Sequence, residues 1–165
     1  MMLLAGLTLL IFSLWILLAR PTFAGKTIQK PEMNVNPDAL RSHVETLSIT
    51  FGPRSYINQK NLNRTADYIA AALRASGGEV REQVFEAAGS TYKNILAAYG
   101  PDTGEIIVVG AHYDTAGELP GADDNASGIA GLIELGRLLG QSELNSRVVC
   151  AAYSLEEPPF FGTDQ

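Results

Sequence analysis

Two short runs of consecutive apolar residues constrain the fold of this chain more than any other feature. Residues 106–109 read Ile-Ile-Val-Val, and residues 148–152 read Val-Val-Cys-Ala-Ala. Such a run is typical of a strand that is buried on both faces of a sheet. Between the two runs, residues 126–139 have helical spacing and are apolar nearly all round, so this helix should also be buried. Strands that alternate with helices predict an α/β fold with helices on the faces of the sheet.

The preceding segments predict further helices and strands. Asn36-Pro37 is typical of a helix start, and apolar residues follow at helical spacing until Gly52-Pro53-Arg54 interrupts them. A second helix is predicted over residues 59–75, with its apolar residues on one face. Strands are predicted over residues 80–85, 92–99, 105–112 and 147–153.

The first 19 residues carry no charge and are long enough to cross a hydrocarbon core of ~30 Å as a helix. They predict a membrane anchor or a signal peptide cut after Thr22-Phe23-Ala24; a buried core helix is the third interpretation. We favour the anchor because the run is long for a signal peptide. Either membrane-directed interpretation predicts that the following residues lie on the periplasmic or extracellular side. The basic residues that follow the run, Arg20, Lys26 and Lys30, favour the opposite orientation.

Composition narrows the classes of partner. The chain has 165 residues and a net charge of −6, with no run rich in Lys or Arg. Phosphate contacts dominate nucleic-acid affinity, so a nucleic-acid partner is not expected. The single cysteine, Cys150, cannot form an internal disulfide and excludes a cysteine-based zinc finger. We interpret the chain as residues 1–24 (anchor or signal peptide), residues 25–35 (linker) and residues 36–165 (one domain).

Both apolar strands lead into residues that can bind metal or transfer protons. In an open α/β sheet, ligands bind at the carboxyl ends of the strands. The first strand ends at His112-Tyr113-Asp114. His112 and Asp114 point the same way, so the carboxylate can accept one ring N–H and leave the other nitrogen for a metal. A purely structural His–Asp pair would have the same sequence.

Two acidic motifs extend this pattern. Residues 121–128, Gly-Ala-Asp-Asp-Asn-Ala-Ser-Gly, precede the buried helix. Helix capping explains one of their polar residues, and a carboxylate there could also bridge two cations. Glu156-Glu157 follows the second strand, where two like charges repel each other unless a cation lies between them or solvent separates them. Histidine and carboxylates together suit zinc.

Together these motifs resemble those of the co-catalytic zinc exopeptidases, which include secreted leucyl aminopeptidases, glutamate carboxypeptidases and, more distantly, glutaminyl cyclases. The resemblance covers residues 37–165. It implies a three-layer α/β sandwich, with a mostly parallel mixed central sheet and helices on both faces, that binds two zinc ions and a peptide substrate.

The resemblance also implies a role for each residue of the motifs. His112 and Glu157 would each bind one zinc, and Asp123 would bridge the two ions. Glu156 would be the general base. Asp114 would orient His112, and Asp124 would support the bridging loop.

The chain also departs from the family pattern. The family supplies a further aspartate and a further histidine well beyond the Glu-Glu pair, whereas only eight residues follow Glu157. The other histidine, His43, is expected at the surface. We therefore expect an N-terminal part of the peptidase domain, inactive as it stands. The expected activity of the parent protein is that of an aminopeptidase. The alternatives are a carboxypeptidase or dipeptidase, a glutaminyl cyclase-like acyltransferase, or a non-catalytic relic.

Overall fold

The computed structural model describes Trp15 and residues 34–160, and these residues form a mixed α/β fold. The chain divides into two units, Met1–Met33 and Asn34–Gln165, and the description below concerns the second. Its helices are α1 (Pro37–Glu45), α2 (Gln59–Ala75) and α3 (Ser127–Gly140), and its strands are β1 (Glu79–Ala87), β2 (Ser90–Tyr99), β3 (Ile106–His112) and β4 (Arg147–Tyr153). One π-helical turn, Thr46–Thr50, extends α1, and another, Ala122–Ala126, precedes α3.

Across the described part of the chain, no helix combines the length and the apolar character that a bilayer crossing requires. The predicted anchor or signal peptide lies outside the described residues, apart from Trp15.

Local sequence signals account for the first two helices. The side-chain oxygen of Asn36 accepts hydrogen bonds from the backbone N–H groups of Asp38 and Ala39, both at 3.1 Å, which is the predicted cap. Helix α2 has the predicted bounds, and its predicted apolar face is buried. The residues of that face are Leu62, Ala66, Ile69 and Leu73. Helix α3 also contacts the start of α1: the Glu134 carboxylate accepts a hydrogen bond from the backbone N–H of Asn36 at 2.8 Å.

The four strands are ordered β1-β2-β4-β3. Strand β1 pairs with β2 and β2 pairs with β4 in antiparallel fashion, whereas β3 and β4 are parallel. The described sheet is therefore mixed, but it is not mostly parallel as predicted. The physical reason for the first antiparallel pair, β1 with β2, is a two-residue turn at Ala88-Gly89, where φ is +49° and +75°. Two successive residues with positive φ form the tight turn that joins antiparallel strands in a hairpin.

One face of the sheet forms the core with the helices. Ile95, Ala97, Cys150 and Ala152 are fully buried and pack in one cluster with apolar residues of α2 and α3. On the opposite face no described helix covers the strands, so the predicted layer on that face is not present within residues 34–160. The prediction that β3 is buried on both faces is also wrong for the described chain. Its residues Ile106, Ile107, Val108 and Val109 are exposed by 62%, 52%, 58% and 37%.

The position of β3 at the sheet edge predicts how the isolated chain behaves. Its outer backbone groups lack a strand partner in the described chain, and its side chains are apolar, which favours edge-to-edge association. We expect the isolated chain to self-associate, and Val108→Lys to reduce this association in analytical ultracentrifugation. Ile49→Lys, which places the same charge at an exposed apolar residue outside the sheet, is the control. A monomeric wild-type chain with a sharp melting transition would contradict the prediction.

Candidate metal centre

The parallel pairing of β3 with β4 brings the two predicted strand ends together. His112 is the register partner of Tyr153, and the backbone N–H of Tyr113 donates to the carbonyl of Tyr153 at 2.8 Å, just beyond the last pair. The residues that follow the two strands therefore leave the sheet side by side. As a result, Asp114 lies next to Glu156 and Glu157, although more than 40 residues separate them along the chain.

Asp114 connects the two strand ends through its carboxylate. It is 1% exposed and accepts hydrogen bonds from the backbone N–H groups of Glu156, at 3.1 Å, and Glu157, at 2.9 Å. One of its oxygens also lies 3.3 Å from Nδ1 of His112, although this contact does not reach hydrogen-bond geometry. Interaction with Asp114 is the main reason that the pKa of His112 is raised above its usual value. Asp114 therefore fixes the backbone of Glu156 and Glu157, and its carboxylate faces the Nδ1 side of the His112 ring.

The outer nitrogen of His112 faces a group of carboxylates. Its Nε2 lies 3.0 Å from Asp124 and 3.8 Å from Glu156. Asp123, which we expected at this place, is not among the described acidic groups within 4.0 Å of His112. The backbone carbonyl of Asp123 instead accepts a hydrogen bond from the Ser127 hydroxyl at 2.7 Å.

The backbone explains why the second aspartate, and not the first, reaches the histidine. The turn Ala122–Ala126 begins after Gly121 in the left-handed conformation, with φ +58°. Inside the turn Asp124 leaves the helical region, with φ −114° and ψ 95°. The backbone at Asp124 therefore does not follow the path of a regular helical turn.

The geometry is compatible with a metal ion. His112, Glu156 and Glu157 each offer one ligand atom, and these atoms lie within 4.8 Å of one another. Zinc holds nitrogen and oxygen ligands at about 2.0–2.2 Å, so ligand atoms around one ion are separated by roughly 3–4 Å. Small rotations of the glutamate side chains would close this difference, and the Glu156 side chain is 44% exposed. The donor set of imidazole and carboxylates fits zinc.

The surrounding charge also favours a cation. Burial, followed by neighbouring carboxylates including Asp124, raises the pKa of Glu157. Carboxylates close to one another repel, and a bound cation would remove that cost. The sequence predicted this property for Glu156 and Glu157, and the structure adds Asp124 to the same group.

Two residues that support the centre were not singled out in the sequence. The side-chain oxygen of Asn94 accepts a hydrogen bond from the backbone N–H of Ser154 at 2.9 Å, at the start of the segment that carries the glutamates. Its position beside Lys93 in a strand gave no distinctive sequence signal. Arg54 is fully buried; we interpreted it only as part of a helix-ending turn, and its hydrogen bonds to backbone carbonyls have no recognisable sequence pattern.

Two residues outside the centre, Cys150 and His43, differ in how well their predicted burial agrees with the structure. Cys150 is fully buried, as predicted, and burial raises the pKa of its thiol to about 11. His43, expected at the surface, is partly buried between α1 and α2. Its Nδ1 lies 2.6 Å from the Tyr68 hydroxyl, and burial lowers the pKa of its imidazole.

A cleft of about 1160 Å³ adjoins the centre on the open face of the sheet. His112 and Glu156 line it together with Asn94, Tyr153 and Phe160. The centre is therefore accessible from this side in the described chain.

Sequence comparisons relate part of this chain to a peptidase family. Residues 94–165 match peptidase family M28. The chain is 46% identical over 140 residues to the uncharacterized protein YfbL of Escherichia coli K12, covering 80% of this chain and 43% of that protein. It is 32% identical over 74 residues to leucine aminopeptidase 2 of Trichophyton rubrum, covering 45% of this chain and 15% of that protein. The chain thus spans less than half of these relatives.

Solved structures with the same fold include enzymes of two kinds. A glutaminyl cyclase from Porphyromonas gingivalis matches with a TM-score of 0.70 and 30% identity, over 78% of this chain and 48% of that one. A Zn-dependent exopeptidase from Parabacteroides distasonis matches with a TM-score of 0.65 and 25% identity, over 80% of this chain and 51% of that one. Residues 94–165 therefore match peptidase family M28, and the described fold is similar to that of zinc-dependent exopeptidases and glutaminyl cyclases; the chain spans about half the length of the solved structures that it matches.

Proposed function

We propose that the complete protein is a zinc-dependent exopeptidase that removes N-terminal residues from peptides. The observation that carries the proposal is the convergence of His112, Glu156 and Glu157 within 4.8 Å of one another at the ends of two parallel strands. Asp124 adds a fourth group, 3.0 Å from the same imidazole. The name of leucine aminopeptidase 2 among the sequence relatives supports the choice of an aminopeptidase.

The proposed roles follow from these contacts. His112 and Glu157 hold zinc, and Asp124 takes the bridging role that the family resemblance implied for Asp123, because Asp124 is the aspartate beside His112. Further residues of the complete protein would finish the coordination of two ions. When bound, zinc polarises the peptide carbonyl and lowers the pKa of water.

Glu156 would transfer the proton. It takes a proton from the attacking water and then donates it to the amine that leaves when the peptide bond breaks. Its backbone N–H is held by Asp114, while its side chain is partly exposed at the cleft. Asp114 therefore acts through position: it fixes the backbone from which both glutamates project.

Substrates with free and blocked termini test the proposal. We expect the complete zinc-loaded protein to hydrolyse leucine p-nitroanilide and not its N-acetylated form. Cleavage of a peptide with an acetylated N-terminus and a free carboxylate would instead support the carboxypeptidase alternative. If the protein neither hydrolyses these substrates nor binds zinc, the non-catalytic relic is the alternative that remains.

A glutaminyl cyclase-like acyltransferase is the second candidate, and the match to the Porphyromonas gingivalis cyclase favours it. In this reaction the substrate's own amine attacks the side-chain amide of an N-terminal glutamine and releases ammonia. Glutamine β-naphthylamide separates the two functions. The cyclase converts it to the pyroglutamyl amide with release of ammonia, whereas the aminopeptidase releases naphthylamine.

We also propose that the catalytic domain lies on the periplasmic or extracellular side, attached to the membrane through the N-terminal segment. The uncharged character of residues 1–19 supports this placement. A reporter that is active only outside the cytoplasm, fused after Gln165, should be active. A fusion that begins at Gly25 is the control and should be inactive. Equal activity of both fusions would contradict the proposal.

We further propose that the complete protein covers the open face of the sheet and so acquires a third layer. The exposed apolar residues of β3 support this, because an apolar run of that kind favours burial.

A further inference from the structure

Arg54 is an unusual residue to find in the core of this fold. It is fully buried, and its guanidinium donates hydrogen bonds only to backbone carbonyls: to Leu47 at 2.7 Å, Tyr113 at 2.8 Å, Pro120 at 2.9 Å and Gly121 at 2.9 Å. Within residues 34–160, no carboxylate lies within ion-pair distance of it. Burying a cation without an ion pair is costly, so these four hydrogen bonds, together with the nearby charge of Asp114, must offset that cost.

The carbonyls that Arg54 binds belong to the two segments that supply the metal centre. Tyr113 lies between His112 and Asp114 in the chain. Gly121 begins the loop that carries Asp124, and its carbonyl also accepts the backbone N–H of Ala126 at 3.0 Å. The same carbonyl thus closes the aspartate loop and binds Arg54. Arg54 therefore links the strand end that carries His112 to the loop that carries Asp124.

The fit between Arg54 and this loop is close. Gly121 has φ +58°, and a Cβ there would lie 2.9 Å from Nη2 of Arg54 and would clash with the methyl carbon of Thr115. Thr115 in turn accepts a hydrogen bond from the backbone N–H of Arg54 through its hydroxyl at 3.0 Å. The loop therefore rests directly against Arg54, without an intervening side chain.

We propose that Arg54 is a positioning residue that sets the separation of His112 and Asp124, so that both reach one cation. The inference rests on the proposed zinc binding. A guanidinium holds several acceptors in a fixed planar arrangement, whereas a lysine ammonium is a single point charge and cannot replace all four contacts. A positive charge at residue 54 is therefore insufficient to keep all four contacts, and the planar shape of the guanidinium is required.

The test compares Arg54→Lys with wild type in the complete protein. Zinc affinity is measured by chelator competition, and the His112–Asp124 distance by a crystal structure of the metal-free protein. We expect zinc Kd to rise about 10–100-fold, as for losses of outer-shell support, and the distance to exceed the 3.0 Å of wild type. Leu73→Ala, which opens a cavity in the core at a fully buried residue of α2, is the control. It should lower Tm without changing zinc Kd below the melting range.

Any one of four outcomes would overturn the inference. The first is an unchanged zinc Kd in Arg54→Lys, and the second is a change no larger than that of Leu73→Ala. If Arg54→Lys does not fold, Thr115→Val replaces it in the test, because Thr115→Val removes the hydroxyl that binds the Arg54 backbone. An unchanged zinc Kd in Thr115→Val is the third outcome. If wild type binds no zinc, the proposed function fails separately. In that case the His112–Asp124 distance in the metal-free variant still tests the positioning role. The variant is Arg54→Lys, or Thr115→Val if Arg54→Lys does not fold. A distance kept at 3.0 Å would be the fourth outcome and would refute the role.

Discussion

Replacing Glu156 by glutamine in the complete protein is expected to lower kcat by about 10²–10⁴-fold, with little change in KM or zinc content. Glutamine keeps the shape and most of the hydrogen-bonding capacity of glutamate, but it cannot accept a proton from water. The backbone N–H of residue 156 would still donate to Asp114, so the loop should keep its position. Steady-state kinetics and metal analysis of the purified variant measure both expectations.

A matched exposed glutamate makes this test specific. Glu143 is exposed and lies after α3, outside the centre, so Glu143→Gln makes the same chemical change there and should leave kcat unchanged. If Glu156→Gln loses zinc together with activity, Glu156 is a metal ligand. If it behaves like Glu143→Gln, the glutamate pair is not part of the catalytic centre.

Replacing Glu157 by alanine is expected to reduce zinc affinity as well as activity. Loss of an outer-shell partner of a metal ligand typically costs 10–100-fold in affinity, so removal of a ligand should cost more. Alanine also removes a carboxylate whose pKa is raised by burial and by its acidic neighbours, so the metal-free variant should fold at least as stably as wild type. Zinc titration and thermal melting of the metal-free protein separate these two effects.

The two aspartates provide the internal comparison for this prediction. Asp124→Asn should weaken zinc binding, because Asp124 lies beside Nε2 of His112. Asp123→Asn should have a smaller effect, because Asp123 contacts Ser127 through its backbone carbonyl, which the substitution keeps. A larger effect at Asp123 would return the bridging role to the residue that the sequence resemblance first indicated.

Much of the fold could be predicted because its elements have clear local signals. Helix α2 and strand β4 have the predicted bounds. The apolar period and the glycines after Ser76 define the former, and the apolar run defines the latter. The pairing directions were harder to predict. Residues 86–91 separate two predicted strands, but the positive φ of Ala88, which makes the turn a tight hairpin, has no strong signal in an alanine.

The candidate centre could be predicted as a set of motifs, but its internal geometry could not. Asp123 and Asp124 are identical neighbours, and the backbone angles inside the turn decide which of them reaches His112. The contact between Asp114 and the backbone of the glutamate pair depends on the register of two strands that are distant in sequence. Arg54 was missed for a related reason, since the carbonyls that it binds are present in every residue.

The position of β4 has a consequence for the order in which the protein can mature. β4 is the last described strand to leave the ribosome, yet it lies between β2 and β3 in the sheet. The β1–β2 hairpin can form early from local contacts, whereas β3 has no described strand neighbour until β4 has been synthesised. The same strand delivers Glu156 and Glu157. The cluster of His112, Glu156 and Glu157 therefore forms only after β4 has joined the sheet, and the proposed metal binding follows that step.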